Sequence, residues 1–419
     1  MPDRKSAPPF TSLTNFQLPT PEVAALSNGC NLVSLDIVRQ DVIKIELLFK
    51  SGKWFETLPG TAHFTAQLLD KGTPDKTAYQ IATWFDLHGA SVEINAGLDF
   101  TSVSLYSLAS NVQLSLPLFF QLITVSTFPD DELLKAKDIF IQNLRLNFEK
   151  NSFVASRIIR RNIFGELHPY GATLEEQHLN QLHSDALAEY FKTRFTPLEV
   201  YVTGTLNTVA KNMLVELLQR LKFNSASDPK DFLVSKSGNV QHLEKPESIQ
   251  TSLRLGKRSI SRAHPDYPSV ILLNHILGGY FGSRLMKNLR EEKGLTYGIH
   301  SSVSGFAHDA VFMIGTDVNK QDRELAINEI KREISRLGTD LVPNEELMLA
   351  RNHLLGGLQL DAANPFAIMD KIKLLRTYNL TPDYYNSLFS GIMMTSPHDL
   401  KNLAAEHLYP ESMSIVSVG

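Results

Sequence analysis

Cysteine is almost absent from this 419-residue chain, Cys30 being the only one. A single thiol excludes an intramolecular disulfide and any thiolate zinc cage, and leaves a buried structural thiol as the expected role. A basic excess is missing too: 41 Lys and Arg face 45 Asp and Glu, a formal net charge of -4. That balance argues against nucleic acid as the main partner. No run approaches the roughly 18 consecutive apolar residues of a membrane-spanning helix. The opening MPDRKSAPP carries charge but no following apolar h-region, so no signal peptide is read. The expected compartment is the cytoplasm, or the periplasm for a chain whose leader has been trimmed.

What is present is ordinary globular composition, 43% apolar and 21% charged, in a chain long enough for two domains. An internal repeat supports that division. Residues 128–144, FPDDELLKAKDIFIQNL, align with 342–358, VPNEELMLARNHLLGGL; residues 182–204, LHSDALAEYFKTRFTPLEVYVTG, align with 395–419, TSPHDLKNLAAEHLYPESMSIVSVG. Both pairs keep nearly one offset, which separates a duplication from two generic amphipathic helices. Alternating tracts at 42–49 and 102–108 predict strands, and 3.6-period tracts at 131–149 and 322–337 predict helices. The expected fold is therefore α+β, two homologous domains, each a mixed, largely antiparallel sheet packed with helices. The polar stretch 225–248, with its Pro, Gly and charge, places the boundary near 228/229, giving domains 1–228 and 229–419.

Chemistry is concentrated in two segments. Residues 49–73 read FKSGKWFETLPGTAHFTAQLLDKGT, and Gly60-Thr61 open a short helix carrying His63, Ala66 and Gln67. Residues 277–300 read LGGYFGSRLMKNLREEKGLTYGIH. The pattern there predicts a helix over 283–293, a stop at Gly294 and a strand over 295–300, so that Arg290 and Tyr297 can face one pocket.

Here the chain resembles the pitrilysin/insulinase peptidases, the inverzincins, which include the mitochondrial processing peptidase. Their mark is H-x-x-E-H on a helix within a G-x-A-H…K-G-T frame. The first and last His lie four residues apart on one helical face and grip zinc, while the Glu takes a proton from the metal-bound water. The frame is present, but of the motif only His63 survives. Ala66 replaces the base and Gln67 the second ligand. The resemblance places Asn143, on the inward stripe of a later helix with Ala136 and Phe140, where the family has a third, carboxylate ligand. Asn143 is a candidate to hydrogen-bond Gln67 or His63; a polar residue at the core margin is the other reading. His178 and His183, five apart, lie on different helical faces and offer no substitute pair.

The family resemblance extends over 32–419 and implies that the Arg and Tyr of L-R-E-x-x-G-L-x-Y close on substrate beside the zinc. These are Arg290 and Tyr297 here. Both are suitable donors to a peptide carbonyl or its developing oxyanion; the alternative is an exposed charge cluster, 290–293, and a core tyrosine. Asn95 and Ala96 lie in a strand similar to the family's G-G-x-x-N-A segment, which pairs extended substrate to a sheet edge. His168-Pro169-Tyr170-Gly171 matches a family turn. Gly278, Gly279 and Gly282 lack a Walker Lys and read as glycines for close packing.

The expectation is thus a non-catalytic subunit of a heterodimeric zinc endopeptidase. The chain itself holds no cofactor; zinc belongs to a similar-sized partner with an intact H-x-x-E-H. Unfolded peptides are the expected substrates, and pairing with a second copy of the chain stays open. A structural or peptide-binding protein on the same fold is the alternative.

Overall fold

The computed structural model describes residues 15–36, 41–222, 232 and 238–419. The proposed boundary at 228/229, much of 225–248, and the N-terminal residues 1–9 lie outside the described residues.

Two sheets form, and they share one pairing scheme. In the first, the edge strand Ser91–Ala96 pairs antiparallel with Thr101–Leu108, which pairs antiparallel with Val42–Phe49. Next come Pro197–Thr203, antiparallel, and Asn31–Leu35, parallel, with Glu22–Ala25 added at the far edge. In the second sheet Ile299–Gly305, Ala310–Asn319, Gln250–Arg258 and Ser414–Val418 follow one another antiparallel. The short strand Val240–Leu243 then joins parallel. From edge inward the polarity reads antiparallel three times and parallel once in both halves, so the sequence repeat is also a repeat of topology. Val240–Leu243 shows that part of the polar stretch 225–248 belongs to the second sheet. Its VQHL is exposed at all four positions, so it carries no alternating apolar signal.

The repeated helix starts are superposable in detail. Pro129 precedes the helix Asp130–Phe148 at φ -58°, ψ 138° and Pro343 precedes Asn344–Leu360 at φ -56°, ψ 142°. Each proline carbonyl accepts the first intrahelical bond, from Leu133 N at 3.0 Å and Leu347 N at 2.9 Å. Acidic residues fill both first turns, where the helix dipole favours them.

Each half also covers the other's sheet. From the N-terminal half, helix Asn151–Phe164 packs Val154, Ile158, Ile159 and Ile163 with Val311, Val416 and Val418 of the second sheet. From the C-terminal half, helix Pro365–Thr377 packs Ile368, Met369 and Ile372 on Val33, Leu35, Leu48 and Tyr201 of the first. Ion pairs fasten this second contact. Arg376 holds the buried Glu199 through Nε at 2.8 Å to Oε2, and Lys373 holds Glu46 at 2.6 Å. Opposite it, the turns of the two equivalent hairpins meet: Asp99 accepts from Ala307 N at 2.9 Å and from the Tyr170 hydroxyl. Cys30 is fully buried, and burial pushes its thiol up to about 12, as an inert structural thiol should be. Among the described residues no helix is long and apolar enough to cross a membrane.

Candidate functional site

The helix predicted after Gly60 runs Thr61–Gln67, with Gly60 at φ 94°. A residue that the sequence reading passed over builds its start. Glu56 accepts from Gly60 N at 3.1 Å and Ala62 N at 2.8 Å, supplying the acceptor that orphan helix N–H groups need. Burial pushes its carboxyl up to about 7 against the pull of those donors. An acidic residue a few positions ahead of a Gly-Thr helix start was the available signal.

His63 and Gln67 are exposed on one face of this helix, while Ala66 is buried beneath. The His63 ring lies edge-on to Phe64 at 5.0 Å and tilted against Phe140 at 5.5 Å. Partial burial holds it below the usual histidine range. Asn143 is exposed on helix Asp130–Phe148 rather than inward-facing, and no hydrogen bond joins it to Gln67 or His63. Ala136 and Leu144 take core positions on that helix, while Asn143 is exposed like His63 and Gln67. Among the described residues no group of three or more His, Cys, Asp or Glu is arranged to hold a metal. The donor set fits zinc poorly: one imidazole, one amide, no carboxylate and no base.

Beside this face runs the open edge strand Ser91–Ala96. Asn95 and Ala96 are exposed there; Asn95 donates to Glu93 at 3.0 Å. They border a cavity of about 360 Å³ whose other wall is Lys373, Thr377 and Tyr378.

In the second half, the predicted helix over 283–293 is a wide π-type turn at Met286–Glu292, and a similar turn covers His275–Gly279. Such turns concentrate at functional sites. The predicted strand over 295–300 begins only at Ile299. Gly294 turns the chain at φ 63°, and Thr296 Oγ1 accepts from Gly298 N at 3.1 Å, so 295–298 form a loop. Tyr297 therefore stands 92% exposed at a loop tip. The Arg290 guanidinium lies 4.7 Å over the Phe281 ring. Among the described residues Arg290 has no ion pair, and neither it nor Tyr297 has a hydrogen bond. No hydrogen bond links either residue to His63, Gln67 or Asn143. The glycine loop wraps a cavity of about 440 Å³ lined by Gly278, Gly279, Tyr280, Phe281, Gly298 and Thr316, with neither Arg290 nor Tyr297 in its wall. A Cβ on Gly278 would come within 2.8 Å of Ser301 N, so close approach requires glycine there. The 168–171 segment is a turn, with Gly171 N donating to His168 O at 2.9 Å.

Comparison with known proteins decides what this face belongs to. Residues 33–191 match the family described as Insulinase (Peptidase family M16), and residues 181–354 match the Peptidase M16 inactive domain. The chain belongs to the insulinase family of peptidases. It is similar to the uncharacterized zinc protease YmxG of Bacillus subtilis (strain 168), 25% identical over 340 residues, covering 80% of this chain and 82% of that one. Among solved structures, the peptidase M16 inactive domain from Pseudomonas fluorescens superposes with a TM-score of 0.87 at 25% identity, covering 95% of this chain and 98% of the other. A protease from Helicobacter pylori shares the fold at a TM-score of 0.83 and 18% identity, over 96% and 99% of the two chains. The present chain is an insulinase-family fold whose helix Thr61–Gln67 carries Ala66 and Gln67 beside His63.

Proposed function

We propose that the chain is the non-catalytic subunit of a heterodimeric zinc endopeptidase. It contributes Arg290, Tyr297 and half of a closed chamber to a similar-sized partner that holds zinc in an intact H-x-x-E-H. One contrast carries the reading: the hydrolytic groups are replaced in the N-terminal half, while Tyr297 stands exposed, Arg290 lies half-buried over Phe281, and both are free of intrachain acceptors. A cation and a phenol held out in this way are suited to donate to a peptide carbonyl and to the oxyanion that forms from it. The whole-length likeness to a structure described as an inactive domain supports the same division of labour.

The test is native mass spectrometry of the protein purified from its own cells. A one-to-one complex with a similar-sized, zinc-containing chain is expected. Monomers, self-dimers or a membrane assembly would overturn the heterodimer.

A second reading has its own support in the open edge Ser91–Ala96 beside the degenerate face. An extended peptide added to that edge gains backbone hydrogen bonds without any catalytic residue, which is the behaviour of a peptide-binding protein with no hydrolytic partner. Peptide binding by the isolated chain, unaffected by Arg290→Ala, would favour it.

A further inference from the structure

Helix Asn344–Leu360 and the segment Tyr267–Gly279 of the C-terminal half are the topological counterparts of Asp130–Phe148 and Thr61–Gln67 in the N-terminal half. Between them lies a histidine pair that the proposed function does not use. His275 Nε2 sits 3.1 Å from His353 Nδ1. Two nitrogens bound to one zinc at about 2.0–2.1 Å with a tetrahedral angle stand about 3.3 Å apart. The pair is thus already spaced as two ligands of one ion.

The surroundings fix that spacing. Tyr280 stacks on His275 with ring centroids 4.7 Å apart and planes 9° from parallel, and its ring lies 4.9 Å from that of His353. A Cβ on Gly279 would approach His275 Nδ1 to 2.8 Å, so the absence of a side chain there lets the ring lie where it does. Arg284, just beyond that segment, donates two hydrogen bonds to Glu346 of helix Asn344–Leu360, at 2.8 and 2.9 Å. His275 is 8% exposed, whereas His353 is exposed, so one ligand is held rigidly and the other opens to solvent.

We infer that His275 and His353 form a binding site for a divalent first-row transition cation such as Zn²⁺ or Cu²⁺. Two positions of the ion stay open to water. One ring now donates its proton to the other. On binding, that proton moves to the remote nitrogen of the same imidazole, so both facing nitrogens present lone pairs and no charge is lost. The site is separate from the degenerate face of the N-terminal half and does not depend on a partner subunit.

The experiment is calorimetric titration of the untagged full chain with Zn²⁺ and with Cu²⁺, beside His353→Ala. One cation per chain is expected, with Cu²⁺ bound more tightly than Zn²⁺. His353→Ala should weaken binding at least about tenfold, with an unchanged circular dichroism spectrum showing that the variant is folded. Electron paramagnetic resonance of the Cu²⁺ form should show coupling to two nitrogens, and to one in the variant. No binding, or binding that His353→Ala leaves unchanged, would overturn the site and reduce the pair to a hydrogen bond.

Discussion

Arg290 and Phe281 form a cation–π pair, 4.7 Å from guanidinium carbon to ring centroid, and Phe281 is itself 62% exposed on the glycine loop. An arginine steadied by an aromatic face rather than a carboxylate keeps its full charge and its N–H donors for another molecule. Arg290→Ala should accordingly leave stability within about 0.5 kcal/mol of the parent. In the reconstituted complex it should lower kcat by roughly 10²–10³-fold, the order of a lost oxyanion donor. Denaturant unfolding and peptide-cleavage kinetics read the two effects separately.

The degenerate face is repairable if its replacements are all that separates it from a zinc site. Gln67→His and Asn143→Glu change exposed positions, whereas Ala66→Glu places a carboxyl at a site only 3% exposed and carries most of the stability cost. The triple variant, made in a His353→Ala background to silence the second site, should bind one zinc per chain. Its ligands would be His63, the imidazole introduced by Gln67→His and the carboxylate introduced by Asn143→Glu. Zinc content by mass spectrometry checks it. A folded triple variant without zinc would show that the helices are misplaced for ligation.

Acid should unfold the chain earlier than its surface carboxylates alone would require. His168, 6% exposed, is pushed down to about 4 by burial and then by the charges of Arg258, His308 and Lys53; His275 is pushed down to about 4 as well. Both ordinarily titrate near 6.5. The unfolded chain therefore takes up these protons first, and stability falls as pH drops from about 6.5 toward 4. By pH 5 the loss should be roughly 1–2 kcal/mol for each residue. Urea unfolding at pH 7 and pH 5 measures it, and His168→Gln should flatten the slope.

Contact between the halves rests on few charges. Burial pushes the Glu199 carboxyl up, but hydrogen bonds from Arg376 and Tyr201 outweigh it and hold the group below the usual range. Arg376→Ala leaves that carboxylate buried without its cation, a loss on the order of 3 kcal/mol. Lower urea midpoints with an unchanged circular dichroism spectrum are expected.

Local chemistry made much of this legible in the sequence. Pro129 and Pro343 announce the same helix start twice because proline fixes φ just where a helix needs its first carbonyl. Gly60, Gly278 and Gly294 mark turns or close approaches that side chains would block. What stayed hidden is what neighbours decide. Nothing in 151–164 or 365–377 says that each helix covers the opposite sheet, because an apolar stripe does not name its partner. The π-type turn at Met286–Glu292 shares its apolar pattern with an ordinary helix. Asn143 is exposed, as His63 and Gln67 are, and Tyr297 lies in a loop because Gly294 and Thr296 fold 295–298 before the strand begins. Expected contacts at the site failed where side chains point into open space.

The two exchanged helices make the halves a mutual clasp rather than beads on a string. Asn151–Phe164 precedes the linker in sequence yet seals the sheet that follows it, and Pro365–Thr377 seals the sheet before it. Severing the chain near 228 would yield fragments that each lack a lid of their own core, so neither half is a free-standing fold. For the same reason, one half cannot swing away from the other without unsealing both sheets.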